Sequence, residues 1–128
     1  MANVLTLGRA ADEQPLVHRV RHAEHWRERL TGLLGRRGLT HSEGLWIKPC
    51  NSIHTFGMRF DIDVLFLDDE QRIVRAVTAL KPWRCALARA SSVVELAAGS
   101  IDRLELQIGE RLHLTPASPS TNYEESLA

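Results

Sequence analysis

Apolar residues recur along most of this chain at the two-residue period of half-buried strands, and along one stretch at the period of a helix. The segment "LVHRV" (16–20) alternates apolar and polar positions and predicts a strand, and Val4, Leu5 and Leu7 predict a short edge strand before it. The spacing then changes. Across "HAEHWRERLTGLLGRRG", residues Ala23, Trp26, Leu30, Leu33 and Leu34 fall on one stripe and predict an amphipathic helix. Gly35 or Gly38 ends it, and Arg36 and Arg37 sit near its C-terminus, where cations are favoured. "GLWIKP" (44–49) reads as a strand stopped by Pro49. "FDIDVLFLDDEQRIVRAVTAL" reads as a hairpin turning at "DDEQ". Its first strand is apolar on both sides, with Ile62, Val64 and Phe66 opposite Leu65 and Leu67, so both faces should be buried. "KPWRCALARASS" is a connection, "VVELAAG" a strand, "SIDRLEL" one helical turn capped by Ser100, and "GERLHLT" a turn with a final strand. After Pro116 too few apolar residues remain to pack. The pattern predicts one globular domain over 1–115 and a flexible tail over 116–128. The fold class is mainly β (α+β): a small β-sandwich or partly open β-barrel, with one amphipathic helix packed at the side.

Composition narrows the function classes. The chain has 128 residues, of which 44% are apolar and 25% charged, which suits a folded body. Sixteen basic and sixteen acidic residues cancel, so no global field draws the protein to nucleic acid or to an anionic membrane. Residues 1–41 are locally basic, with seven arginines against four acids. No apolar run approaches the ~20 residues that span a bilayer. The N-terminus lacks the pattern of a signal peptide, and two cysteines 35 positions apart make no disulfide framework, so a cytoplasmic protein with reduced thiols is expected.

Several stretches occur together in a known order. "ERLTGLLGRRGL", "EGLWI", "SIHTFGMRFDIDVLFLDDEQRIV", "KPW" and "VVELAAGSIDRLELQIGERL" resemble the domain-of-unknown-function 192 family over roughly residues 16–114. The resemblance implies a compact β-sandwich or barrel with a short helix, and no established activity. Where the family pattern has Pro before "ID", this chain has Asp61, a flexible, charged residue in place of a rigid turn.

The chemistry concentrates in "PCNSIHTFGMRFDID" (49–63), between two apolar segments. Cys50, His54, Met58, Arg59 and Asp63 are the candidate ligand-binding residues, and Trp46, Phe56 and Met58 are candidates to line a hollow beside them. Thiolate and imidazole both suit zinc, so Cys50 and His54 form half of a metal site, with Cys85 and one of His18, His22, His25 or His41 as further ligands. The same two residues, oriented by Asp61 or Asp63, supply the parts of a thiol nucleophile and its base. Against both stands a plainer reading: a buried Cys acting as a small apolar residue, and an Asp63 that organises a turn by accepting backbone N–H groups or pairing with Arg59. The expectation is a ligand-binding or protein-interaction module. The alternatives are a metal- or thiol-dependent enzyme using Cys50 and His54, or a purely structural polar cluster. No cofactor is expected. The expected partner is a small molecule or another protein, with neither nucleic acid nor membrane.

Overall fold

The computed structural model describes residues 4–24 and 36–117. Its centre is the strand with apolar residues on both sides, β5 (Ile62–Leu67), in which all six residues are buried. Leu65 and Leu67 enter one apolar cluster, and Ile62, Val64 and Phe66 enter the other. The sheet therefore has a core on each face, as the two-sided pattern predicts.

Around it run β1 (Val4–Arg9), β2 (Pro15–Ala23), β3 (Glu43–Ile47), β6 (Ile73–Leu80), β8 (Ser92–Ala97) and β9 (Leu112–Pro116), in the spatial order β6-β5-β8-β3-β2-β1-β9. Only β2 and β3 are parallel; the other neighbours are antiparallel. Ile73 of one edge strand and Leu112 of the other lie in the same core cluster, so the sheet curls around that core. The edges touch at one end, through an Arg72–Arg111 bridge and the Ile73 N–H donating to the Glu110 carbonyl. Elsewhere they stay apart, and the sheet does not close into a barrel.

Two expectations for the N-terminal strands change. β1 is not an edge strand, because β9 pairs along its outer side. His22 and Ala23 continue β2, because parallel pairing with β3 carries the strand through the start of the helical stripe. The remainder of that stripe, residues 25–35, lies outside the described residues, and so does the tail from residue 118.

Two short strands predicted as loop and connection, β4 (Ser52–His54) and β7 (Cys85–Leu87), pair as an antiparallel ribbon. Ile53 and Ala86 face each other across it and are buried in the core on the outer face of the sheet, together with Met58, Val64, Phe66 and Val93. Three-residue strands carry too little periodic signal to be read alone; they form because each places one apolar residue on that face.

The one described helix, α1 (Ser100–Arg103), is a single turn. Ser100 does not cap it. Gly99 occupies the cap position at φ 93°, a conformation that suits glycine, and the Ser100 hydroxyl is buried without a hydrogen-bond partner. The cap is supplied from across the fold: the Ile101 N–H donates to Asp63 Oδ2 at 2.8 Å.

Candidate functional site

Asp63 is wholly buried, and both its oxygens accept backbone N–H groups, from Ile101 at 2.8 Å and from Ala79 at 2.9 Å. Ala79 has φ 49° and lies where the β5–β6 register slips, so the carboxylate fixes a bulge in β6 and the start of α1 together. The donors belong to β6 and α1 rather than to the "HTFGM" loop or Arg59. Met58 is also buried, in the outer-face core. Cys50 is half-buried at the edge of that core, and its thiol donates to the Ser52 carbonyl at 3.1 Å. Arg59 is exposed and His54 half-exposed. Thus the five candidates divide between core and surface. Trp46, Phe56 and Met58 do not share a hollow: Trp46 packs against the inner core and lies 4.9 Å from the His22 ring, whereas Phe56 is exposed.

What does gather at the surface is the ribbon with its two flanking loops, and Thr55 holds them together. Its N–H donates to the Arg84 carbonyl at 2.9 Å and its carbonyl accepts from the Trp83 N–H at 3.1 Å. Its hydroxyl donates to the Lys81 carbonyl at 2.7 Å and accepts from the Arg84 N–H at 2.9 Å. The Thr55 carbonyl also accepts from the Met58 N–H at 3.2 Å, closing a turn in which Gly57 has φ 84°. That left-handed third position is the type II signature and suits glycine.

This stitching brings three rings into a ladder. His54 lies 4.8 Å from Phe56, and Phe56 stacks on Trp83 at 5.6 Å with 21° between planes. The Phe56 N–H donates to His54 Nδ1 at 3.3 Å, which holds the imidazole in place and puts the proton of its neutral form on Nε2. Phe56 is 43% exposed and Trp83 64%. Trp83 also has φ 65°, a strained backbone for a bulky residue, kept there by the Thr55 bonds.

The thiol beside His54 is Cys85. The two are direct cross-strand partners, and the bonded pairs Thr55–Arg84 and Asn51–Ala88 on either side make theirs a non-hydrogen-bonded pair, the closer kind for side chains. Cys85 is exposed. Among the described residues no three His, Cys, Asp or Glu side chains gather to hold a metal ion. His18 and His22 lie in β2, far along the chain from the ribbon, and His25 is outside the described residues.

Charge sets this surface apart. Residues 48–60 and 75–90 carry Lys48, Arg59, Arg75, Lys81, Arg84 and Arg89 and no Asp or Glu, leaving ten basic and sixteen acidic residues for the rest of the chain. All six cations are exposed, and none forms an ion pair among the described residues. Sequence reasoning singled out Arg59 as a site residue but missed Thr55, Trp83 and the other five cations. The acid-free run around "KPWRC" was the available signal, masked by a net charge of zero. Glu95, a second fully buried carboxylate, partnered and in the middle of β8, was also missed; a Glu inside the apolar run "VVELA" marks it.

The fold and this surface define a class: an open, curled β-sheet domain bearing a small ribbon with an exposed aromatic ladder. A family profile described as "Uncharacterized ACR", the domain-of-unknown-function 192 family, matches residues 8–114, and the chain belongs to that family. It is 35% identical over 98 residues to a UPF0127 protein of Pyrococcus furiosus, covering 73% of this chain and 84% of that one. A UPF0127 protein of Thermococcus kodakarensis is 32% identical, covering 77% and 66%. Among solved structures, a protein of Sinorhizobium meliloti described as a candidate transcription regulator superimposes with a TM-score of 0.74 at 21% identity, over 89% of this chain and 94% of that one. A protein of unknown function from Novosphingobium aromaticivorans gives 0.71 at 19% identity, over 88% and 84%. At these identities the structural likeness carries the fold alone.

Proposed function

We propose that this protein is a binding module for an anionic partner, and that the outer face of the β4–β7 ribbon is its binding surface. The carrying observation is a pair of segments without Asp or Glu, 48–60 and 75–90, which carry six exposed cations and the exposed ring ladder in a chain of zero net charge. Exposed large apolar groups rimmed by charge are the usual mark of an interaction site. The strain at Trp83 points the same way, since a residue held in an unfavourable conformation on the surface contributes nothing to the core. Two of the clefts in the structure are lined by described residues away from the ribbon. Arg19, Arg21, Arg36 and Glu43 line one, and Arg9, Glu105 and Glu110 the other; neither touches the ribbon. A partner that lies across a surface suits the ribbon better than a small molecule enclosed in a pocket. No described helix is long and apolar enough to cross a membrane. Two cysteines 35 positions apart make no disulfide framework, and on that ground we place this function in the cytoplasm.

The test is binding to a soluble polyanion such as heparin at low salt. Reversing two ribbon charges, with Lys81→Glu and Arg84→Glu together, should weaken binding about tenfold. Reversing Arg21 and Arg103, which are equally exposed but away from the ribbon, should change it by much less. Equal losses in the two double variants, or no binding by the parent protein, would remove this reading.

A further inference from the structure

We infer that the anionic partner is single-stranded nucleic acid, whose bases stack on the Trp83–Phe56 ladder while its phosphates meet cations of the same two segments, Arg84 and Arg75 among them. This deepens the anionic-partner reading and rests on it.

The rings decide the partner's chemistry. An acidic peptide would satisfy the cations but has no use for two stacked aromatic faces. A duplex keeps its bases stacked inside and offers none to a protruding ring. Single strands offer both groups: a flat base at every step, and a charge between steps. Proteins that bind them combine aromatic platforms with an unpaired basic surface. Here the platform is already assembled. Phe56 and Trp83 lie nearly parallel, 5.6 Å apart and 21° from coplanar, and Trp83 keeps most of its surface open to solvent. Arg84 adjoins Trp83 in sequence, and its side chain donates to the Trp83 carbonyl at 3.2 Å, so its charge is not neutralised. Arg75 likewise donates to a carbonyl rather than a carboxylate, that of Leu87 on the ribbon. A lone nucleotide would want a cavity. The open Trp83 platform, with exposed cations spread over two segments, suits an extended strand better.

Whole-chain neutrality argues against such a partner, but it averages over the molecule. The ribbon and its flanks are locally basic because the acids sit in the remainder of the sequence. An approaching phosphate meets the local charge, since charges beyond about 8–10 Å are screened at physiological salt.

The experiment measures binding of fluorescein-labelled oligo(U) and oligo(dT), each about a dozen nucleotides long, by anisotropy at several salt concentrations. A duplex of the same length and poly-glutamate serve as competitors. We expect tighter binding to the single strands than to duplex, and weak competition by poly-glutamate. Trp83→Ala should weaken binding by roughly five- to a hundredfold, the loss of one stacked base. Its fold is checked by circular dichroism. Should Trp83→Ala unfold, Trp83→Gly, which relieves the positive φ while removing the ring, takes its place. The Lys81→Glu, Arg84→Glu double variant should flatten the salt dependence by about 0.7 in log–log slope for each phosphate that is no longer engaged. Comparing oligo(U) with oligo(dT) tells which sugar is preferred. Equal affinity for duplex, full competition by poly-glutamate, or unchanged binding in a folded Trp83 variant each overturns the inference. Heparin binding without oligonucleotide binding overturns it too, yet leaves the anionic-partner reading standing; loss of both ends both.

Discussion

Asp63 shows how far one residue's chemistry can be inferred from its position. A carboxylate at the head of a strand buried on both faces must be hydrogen-bonded, and the structure answers with the N–H groups of Ala79 and Ile101. Replacing it with Asn keeps one acceptor and turns an amide NH2 toward the other backbone N–H, so one buried donor is left without a partner. We expect Asp63→Asn to lower unfolding stability by about 1–3 kcal/mol, and Asp63→Leu, which orphans both donors, by more. Urea denaturation checks this, and equal stability of parent and Asn variant would contradict it. Oligonucleotide affinity of the folded Asn variant should be unchanged, because the residue is enclosed beneath the sheet rather than presented on the ribbon. The need for a partner was legible at residue 63. The partners were not, since Ala79 and Ile101 lie 16 and 38 positions away.

Among the elements, the β4–β7 ribbon depends on Thr55 more than on its own short ladder. Thr55→Val keeps the shape of the side chain but removes the acceptor for the Arg84 N–H and the donor to the Lys81 carbonyl. A loss of about 1–3 kcal/mol is expected, with faster hydrogen exchange at the Arg84 amide, whereas Thr55→Ser should behave as the parent. Wild-type exchange at Arg84 in the Val variant would show that the hydroxyl holds nothing. The longer strands were readable because their alternation extends over several residues, β5 above all. The ribbon was not, because Ser52–His54 and Cys85–Leu87 each contribute one inward residue, Ile53 or Ala86, and one residue has no period.

Over the whole molecule, charge links stability to pH. Backbone hydrogen bonding from Thr40, with Arg36 nearby, holds the Glu43 carboxyl below its ordinary range. The Arg72 N–H does the same for Asp68 in the β5–β6 turn. Both folded-state values lie below the unfolded ones, so the stability these groups contribute is present above the unfolded values, about 3.9 for Asp and 4.3 for Glu. It is lost as pH falls through the folded values. The melting temperature should decline through this acid window, and Glu43→Gln with Asp68→Asn should make the decline shallower. An unchanged slope in the double variant would place the acid sensitivity elsewhere.

By itself the sequence determined the mainly β class, the two-faced burial of β5, the hairpin turn, the final strand and the family. All of these rest on periodic or ordered patterns many residues long. Only the tertiary structure decided that Asp63 caps a helix across the fold, that Cys85 rather than Cys50 stands beside His54, and that Phe56 and Trp83 stack with Arg84 beside them. Each is a contact between segments distant in the chain. Its geometry is set by how the sheet curls and where the ribbon lands on its outer face, and local residue patterns carry no record of either.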